Sequence, residues 1–453
     1  MLRKLLIPLF FGLAGCTSTT VPFEAPTRGF AATSPTQIPT IVPVTTRSVK
    51  SAQRSNASIA QDFMQLSFAF ESGTQLNYLT RFEGPISVRI EGNAPNTMYT
   101  DLENVLSRFR NEAGISIHAT SVKPANITIE MVPRAQIQRL VPNAACFVAP
   151  NVRGLKEYIN QRRSDATSWS NLRERNVMSI FVPSDTSPQE IRDCLHEELA
   201  QALGPVNDLY SLTDSVFNDD NVHSALTSFD MLVLRIYYDS ELKNGMSRAE
   251  VANRIPQIIA RLNPAGAHIY SEQSSGISPR WNSAIQTALG AGTSSNDRIR
   301  AAENAIALAK NLNFEDVRVG FSYFVLGRVS MSSSASVSKN AFMAADRAYA
   351  SLPNTDLHRA LVASQLAAFT LADGDATGTL RLVRPFMNTA KRHENAALLS
   401  TLMLLEAEAL EQAGNATDAR SVRLDSLDLA RYGFGSEKAV QARLREIASL
   451  SRS

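Results

Sequence analysis

The first half of the chain shows hydrophobic patterns of two different periods, which predicts a region that mixes strands and helices. Ile86, Val88 and Ile90 alternate with polar residues, so 85–90 is predicted to be a half-buried strand. Apolar residues at helical spacing over 101–114 predict a helix that ends at a glycine. This order of elements favours an α/β or α+β layer. The same patterns predict an opening helix at 58–73 and strands at 115–119, 126–132 and 177–182.

One predicted helix is marked at both of its ends. Ser187 and Glu190 have the spacing of a capping box, and Pro188 occupies the first helical position. Gly204 and Pro205 end the helix. The apolar stripe that should face the core consists of Ile191, Leu195, Leu199 and Ala202.

The second half of the chain, over 282–450, is rich in alanine and leucine at helical spacing. The segments 371–383 and 410–422 align, which places Gly374 and Gly414 about 40 residues apart. Each segment predicts a helix, a short turn and a second helix, a pattern that resembles tetratricopeptide-like hairpins. Stacks of such hairpins commonly bind peptides on a concave face, and the alternative is a plain helical bundle. Further helices are predicted at 300–312, 316–331 and 338–351.

The N-terminus has the pattern of a bacterial lipoprotein signal. Arg3 and Lys4 precede an apolar run over 5–14 that is too short to span a bilayer as a helix. The run leads into Leu-Ala-Gly-Cys, which resembles a lipobox in which cleavage leaves a lipid-carrying Cys16 as the new N-terminus. Thr17 is not aspartate, which by the sorting rule for such lipoproteins favours the outer membrane, facing the periplasm. The alternative is an ordinary signal peptide with an incidental cysteine.

Composition predicts a tether and excludes one class of partner. Residues 16–55 are rich in Ser, Thr, Pro and Ala, which is typical of a flexible tether. The net charge is +2, and the sequence has no basic stripe and no glycine-rich phosphate loop, so no nucleic-acid partner is expected. The expected partners are the membrane, through the lipid on Cys16, and a protein or peptide on the helical domain.

Two cysteines, Cys146 and Cys194, remain after the lipobox. In an oxidising compartment two cysteines usually pair. A disulfide between them would close a loop of about 48 residues and pin the helix that carries Cys194 to the segment 144–150. The alternative is two buried thiols.

The helix that carries Cys194 begins like a zinc-protease helix and then departs from that pattern. Two zinc ligands on one face of a helix lie four residues apart, but Ala200 lies four residues after His196. None of the six histidines has another histidine four residues away, which excludes the plain His-Glu zinc motif. His196 is therefore expected at the surface or at the edge of the core.

A frame shifted by one residue has the spacing of the metzincin motif. Glu197, Gln201 and Asn207 (or Asp208) fall on the three ligand positions of that motif. Glu198 follows the first of them, as the catalytic glutamate does in zinc peptidases. The spacing therefore resembles a metzincin site from which the histidine ligands are missing.

The segment 194–250 also resembles a bacterial family named domain of unknown function 2927. The stretches that carry the resemblance are CLHEELAQALGPVNDLYSLTDSVFNDDN and LTSFDMLVLRIYYDSELKNGMSRAE, and it extends back to about residue 60. The first stretch has Val216 and Phe217 in place of a Met-turn, and the second resembles the helix that closes matrixin-like domains. The resemblance implies a metzincin-like fold with altered metal ligands and no established activity.

Three uses of these side chains remain open. Amides are poor zinc ligands, and an oxygen-rich site suits calcium or magnesium better. Glu197 with two amides would bind such an ion weakly unless Asp208 or Asp214 joined them. The amides of Gln201 and Asn207 can instead satisfy Glu197 and Glu198 through hydrogen bonds, which gives a metal-free polar cluster. The third use is a metal-dependent hydrolase with Glu198 as general base. We expect the metal-free cluster and no cofactor, with zinc or calcium as the alternative.

These observations predict an α+β metzincin-like N-terminal domain followed by an all-α helical-repeat, solenoid-like C-terminal domain. The expected function is binding or scaffolding by an envelope-anchored lipoprotein with a catalytically degenerate metallopeptidase-like domain. The alternatives are the hydrolase, and a helical domain that carries the function with the first domain as a spacer. The predicted boundaries are 1–15 for the signal peptide, 16–55 for the tether, 56–255 for the first domain, 256–281 for a linker and 282–453 for the helical domain.

Overall fold

The structure, a computed structural model, describes residues 27–29, 54–70, 73–269, 276–290 and 292–451. The lipobox with Cys16 and most of the predicted tether lie outside the described residues, so the structure does not test them. No helix among the described residues is long and apolar enough to cross a bilayer.

Six strands form one mixed sheet in the order β1-β5-β6-β4-β2-β3. The four strands β6, β4, β2 and β3 run parallel, whereas β5 is antiparallel to both of its neighbours. The strands are β1 (Thr27–Gly29), β2 (Ile86–Glu91), β3 (Ile117–Ala119), β4 (Ile127–Val132), β5 (Ala144–Pro150) and β6 (Met178–Pro183).

Helices surround this sheet and then continue alone to the C-terminus, which confirms the prediction of a mixed region followed by a helical region. In the mixed region they are α1 (Asn56–Phe68), α2 (Asn96–Ala113), α3 (Arg134–Leu140), α4 (Leu155–Gln161), α5 (Pro188–Leu203), α6 (Ser228–Tyr237) and α7 (Arg248–Leu262). The helical region contains α8 (Pro279–Leu289), α9 (Ser295–Asn311), α10 (Val317–Ser330), α11 (Ala335–Ala350), α12 (Asp356–Ala372), α13 (Ala376–Val383), α14 (Met387–Arg392), α15 (Ala396–Gln412), α16 (Ala416–Phe434) and α17 (Glu437–Leu450).

The boundary predicted between the first domain and the linker is wrong. Helix α7 continues through Pro256 to Leu262, and it packs on α1 and α6. Ile258 and Ile259 are fully buried in the core of the mixed region, so the helix cannot be cut at residue 255 without exposing them. The helical region then begins with α8, three residues before its predicted start.

The predicted tether is not free of regular structure. Thr27–Gly29 forms the edge strand β1 and pairs antiparallel with β5. The prediction of a flexible segment is therefore wrong for these three residues, because their backbone groups pair with β5. Arg54 and Ser55, at the end of the predicted tether, also belong to the folded region, since Ser55 caps the N-terminus of α1.

The helical region consists of consecutive helices that pack on one another from α8 to α17. Gly374 and Gly414, which the aligned segments place between helices, both have positive φ angles. The turn before α15 has the same form, with Glu394 at positive φ and Asn395 as the cap. Asp375 and Asn395 cap the next helix through their side chains, whereas Asn415 makes no such bond. What the two aligned hairpins and this third turn share is a left-handed residue that ends one helix.

Candidate functional site

Helix α5 lies at the centre of the mixed region, and every one of its residues is buried. It packs on β5 and β6 on one side, and it also contacts α2 and, from the helical region, α16. The Ser187 hydroxyl accepts from the backbone N–H of Glu190, as the capping pattern predicted. The Glu190 carboxylate bonds to Arg134 and to the Thr186 hydroxyl. The N-terminus of α5 is therefore bonded to α3 and to the loop after β6, as well as capped.

The residues on the metzincin-like positions are all buried, and the structure brings two of them into direct contact. Gln201 donates from Nε2 to the carboxylate of Asp208, at 3.2 Å from Oδ2. The side chain of Glu198 is fully enclosed, and Glu197 is only 6% exposed. The helix therefore places these side chains inside the protein and away from solvent.

Both polar atoms of the Asn207 side chain are hydrogen-bonded to backbone groups. Its Nδ2 donates to the backbone carbonyl of Gln65 in α1 at 3.1 Å, and its Oδ1 accepts from the backbone N–H of Asp208. Both ends of the amide thus serve the local backbone, which holds the loop after α5 against α1. A side chain used in this way is a structural support for the loop.

This donor set does not fit a zinc ion. Amide groups are poor zinc ligands, and the amide of Asn207 is bonded to backbone groups. Among the described residues no group of three or more His, Cys, Asp or Glu side chains is arranged to hold a metal ion. The arrangement seen is a hydrogen-bonded polar cluster between α5, the loop after it and α1.

His196 is buried, with 4% of its surface exposed, so of the two predicted placements the one at the surface is wrong. Its Nδ1 accepts a hydrogen bond from the backbone N–H of Leu226 at 3.2 Å. The residue thus connects α5 to the turn that precedes α6. The sequence around His196 does not predict this contact, because the two residues are 30 positions apart in the chain.

Arg175, which the sequence did not single out, caps the C-terminal end of α5. Its guanidinium donates to the carbonyl oxygens of Gln201, Ala202 and Gly204, and its Nε donates to the Thr80 hydroxyl. Burial lowers the pKa of this group. The last carbonyls of a helix have no partner within the helix, so a buried cation at this end satisfies them and complements the helix dipole.

The predicted disulfide is confirmed. Cys146 on β5 is bonded to Cys194 on α5, across a sequence separation of 48. Both residues are fully buried. The bond joins the one antiparallel strand inside the sheet to the helix that carries the metzincin-like spacing.

A second buried cluster lies where the described chain enters α1. Arg54 is bonded to Asp62 and to Asp214, and its guanidinium carbon lies 4.3 Å from the centre of the Phe229 ring. Burial raises the pKa of Asp62 to about 6, and burial likewise raises the pKa of Asp230, next to Phe229, to about 6. One cation among several carboxylates fixes the entry of the chain into the fold.

The helical region docks directly on the N-terminal half of α5. Gln189 donates to the Asn395 side chain at 3.1 Å and accepts from the backbone N–H of Ala397 at 2.8 Å. The Tyr432 hydroxyl, from α16, donates to Asp101 on α2 at 3.0 Å. Polar groups from both halves of the chain are therefore bonded across one buried contact.

Arg192 is the cation of this contact. Its guanidinium bonds to Asp193 at 3.0 Å, lies 3.9 Å from Glu394 and faces the Tyr432 ring. Burial raises the pKa of Asp101, the partner of the Tyr432 hydroxyl, to about 6. The two regions are thus joined by a charged network as well as by apolar packing.

A cavity of about 510 Å³ opens between the two regions, beside this contact. Its walls come from the N-terminal turns of α5, the loop after α5, helix α12, the start of α15, and the end of α16 with helix α17. Most of the lining side chains are small, amide or hydroxyl groups, and Arg443 is the cation that the cavity lining contains. The volume lies in the range of ligand sites, which is roughly 300–1,000 Å³.

Arg443 has an incomplete set of hydrogen bonds. One of its terminal nitrogens donates to Glu446 at 2.8 Å, and the other lies 3.4 Å from the Thr401 hydroxyl. Its Nε is buried and has no hydrogen-bond partner among the described residues. Neither the cavity nor this donor could be found from the sequence, because their residues come from five separate segments.

Neither the curated proteins nor the solved structures contain a match to this chain. Residues 56–257 match a family model described as "Protein of unknown function (DUF2927)". The matched span begins with α1 and reaches into α7, so it contains the central helix α5 and five of the six strands. The match supports the family resemblance that the sequence around α5 predicted, over the mixed region of this chain.

Proposed function

We propose that this protein is an envelope-anchored lipoprotein that binds a peptide segment of a partner protein in the cavity between its two regions. The observation that carries the proposal is the cavity itself, because it has the volume of a ligand site and is lined from both regions. Amide and hydroxyl side chains suit the alternating donors and acceptors of an extended backbone. The unpartnered Nε of Arg443 adds a charged donor for a carbonyl or carboxylate oxygen.

We further propose that the mixed region is a metzincin-like scaffold whose ligand positions now support the fold. The spacing of Glu197, Gln201 and Asn207 along α5 and the following loop supports this origin. The burial of Glu198 argues against the hydrolase alternative, because a general base must reach a substrate proton directly or through one water.

The helical region is proposed to be a tetratricopeptide-like stack. The positive φ angle shared by Gly374, Gly414 and Glu394 at the ends of three helices supports this assignment. Stacks of helical hairpins present extended surfaces, and here part of that surface faces α5 and encloses the cavity. The two regions would then act together, which argues against a first domain that is only a spacer.

The peptide proposal is tested by a substitution on α17 that places a large side chain in the cavity. A displayed library of nine-residue peptides is selected on the soluble chain that begins near Ser51, and the selected peptides are measured by calorimetry. Ala442 lines the cavity and is exposed on α17, so Ala442→Trp adds a large ring without disturbing the core. We expect the affinity of the selected peptides to fall at least about tenfold, or about 1.4 kcal/mol.

Gln441→Trp is the matched control, because Gln441 is the exposed neighbour on the same helix and does not line the cavity. Its affinity should stay within about twofold of the parent, a difference of under about 0.5 kcal/mol. Selection of no peptide, or equal binding by the Ala442→Trp variant, would rule out this cavity as a peptide site.

The anchor is tested separately on the full chain in a bacterial host. Because several acyl chains hold a protein stably on a bilayer, Cys16→Ser should lower the membrane-bound fraction at least about tenfold. The fraction is measured by sedimentation together with incorporation of labelled palmitate. His118→Gln is the control, since His118 is exposed on β3 and its replacement should leave sedimentation with membranes unchanged. Retention of the Cys16→Ser protein on membranes would contradict the lipid anchor.

A further inference from the structure

Helices α3 and α4 cover the face of the sheet that is turned away from α5. Cys146 of β5 is bonded to Cys194 of α5, so the next residue of the strand, Phe147, points to the opposite face. There the Phe147 ring lies 5.2 Å from the ring of Tyr158 on α4, measured between ring centres. Ile137 of α3 belongs to the same hydrophobic cluster. The outer sides of α3 and α4 therefore form one surface, on the far side of the sheet from α5.

The exposed charges of this surface are mostly positive. Between residues 134 and 167 the sequence contains only two acidic residues, Glu157 and Asp165. Five exposed cations come from the same part of the chain, and we call them the basic face. They are Arg139 on α3, Arg153 before α4, Lys156 on α4, and Arg162 and Arg163 at its end.

The two carboxylates do not neutralise the basic face. Glu157 accepts from the backbone N–H of Arg153 at 2.7 Å and from the Gln161 side chain at 3.4 Å. Asp165 accepts from the Asn171 side chain at 3.3 Å. Among the residues that the structure describes, none of the five cations of the face forms an ion pair. Their charges are therefore available to an anionic partner outside the chain.

An exposed apolar side chain lies among these cations. Ile159 is 48% exposed and follows Lys156 by three residues, so the two lie on the same side of α4. Leu155 and Tyr158, on the other side of the helix, are buried against the sheet. A helix whose outer side combines cations with a large apolar side chain is typical of segments that lie on the headgroup layer of a bilayer.

The N-terminal strand joins the sheet beside this surface. Thr27 of β1 is paired with Phe147, the residue whose ring contacts Tyr158 on α4. Thr27 follows Cys16 by 11 positions, and 11 residues span at most about 40 Å. A lipid on Cys16, as proposed above, would therefore keep this edge of the sheet and α4 close to the bilayer.

We propose that the basic face docks on the anionic headgroups of the bilayer to which the chain is anchored. Each lysine or arginine near an anionic surface raises the affinity roughly fivefold, so several cations together give substantial binding. Docking would turn α4 toward the membrane and α5, with the cavity beside it, away from the membrane. The choice of bilayer rests on the proposed anchor, and only the consequence for the cavity depends on the peptide proposal.

The experiment measures binding of the unlipidated chain that begins at Thr17 to lipid vesicles, by co-sedimentation. This chain retains every residue that the structure describes. Vesicles that contain phosphatidylglycerol should bind it at least about tenfold more tightly than vesicles of phosphatidylcholine alone. Lys156→Gln, Arg162→Gln and Arg163→Gln in one variant should lower the affinity for the anionic vesicles at least about tenfold, because three attracting charges are lost.

The matched control removes three exposed cations from the helical region, with Arg381→Gln, Arg420→Gln and Arg445→Gln in one variant. It changes the net charge by the same amount, and it should bind the anionic vesicles within about twofold of the parent. An equal loss in the two triple variants would mean that net charge causes the binding, and would overturn the proposal. A parent that binds both kinds of vesicle equally, or neither, would also overturn it, and is the outcome expected if an acidic protein covers the face.

Salt tests the electrostatic origin of the binding. The Debye length falls from about 10 Å at 0.1 M salt to about 3 Å at 1 M, so the parent should leave the anionic vesicles at the higher concentration. Binding that persists there would contradict docking by the basic face. The chain in this experiment carries no lipid and meets no peptide. Failure of headgroup binding would therefore contradict the basic face alone, whereas failure of the Cys16 or Ala442 test would leave headgroup binding unaffected.

Discussion

Arg175→Met is expected to lower the free energy of unfolding by about 3–5 kcal/mol, because it removes the buried cap of α5. The guanidinium makes four hydrogen bonds, three of them to carbonyls of the last helical turn and Gly204. Burial lowers the pKa of this group, so the charge itself opposes folding. Each carbonyl left unpaired in the interior would cost about 1–3 kcal/mol, and together these losses outweigh the relief from burying a charge.

The measurement is urea unfolding followed by circular dichroism, with Arg173→Met as the control. Arg173 is exposed and stacks on the Tyr78 ring at 3.8 Å, a contact worth about 0.5–1 kcal/mol at an exposed position. A loss as small as the control's in the Arg175 variant would mean that water can satisfy the end of α5. The site at Gln201 and Asp208 would then depend on some other support.

The sequence predicts α5 and most strands well because their signals are local. The Ser187 cap and the alternation at Ile86, Val88 and Ile90 need no knowledge of distant residues. Strand β5 has no such alternation, because all seven of its residues are buried and six of them divide between two hydrophobic clusters. A strand covered on both faces has an unbroken apolar run, and such a run does not by itself distinguish a strand from a buried helix.

The contacts of the candidate site are likewise of two kinds, those within one segment of the chain and those between distant segments. The spacing on α5 predicts that the two amides bond to Glu197 and Glu198. The structure shows Gln201 bonded to Asp208 instead, and Asn207 bonded to backbone groups. Local spacing could not predict that the helical region covers the start of α5, because Gln189 finds its partner Asn395 more than 200 residues later. Polar contacts of this kind depend on how two regions dock, and no periodic pattern encodes them.

The disulfide carries the second large effect, and Cys146→Ala with Cys194→Ala is expected to lower the free energy of unfolding by about 4 kcal/mol. The bond closes a loop of 48 residues, and the chain-entropy model assigns about that value to a loop of this length. Each single variant should lose nearly as much as the double variant, because either substitution removes the whole bond. The measurement is urea unfolding of all three variants and the parent under oxidising conditions.

Treatment with a reductant distinguishes the stability that the disulfide contributes from the stability that comes from packing of the two cysteine side chains. Both cysteines are fully buried, so alanine also removes two sulfur atoms from the core. A reduced parent protein keeps those atoms and loses only the bond, so its stability should fall almost to that of the double variant. The double variant should not respond to reductant at all. A parent protein that is equally stable with and without reductant would show that α5 is held to β5 by packing alone, and would remove the support that the bond gives to an oxidising compartment such as the periplasm.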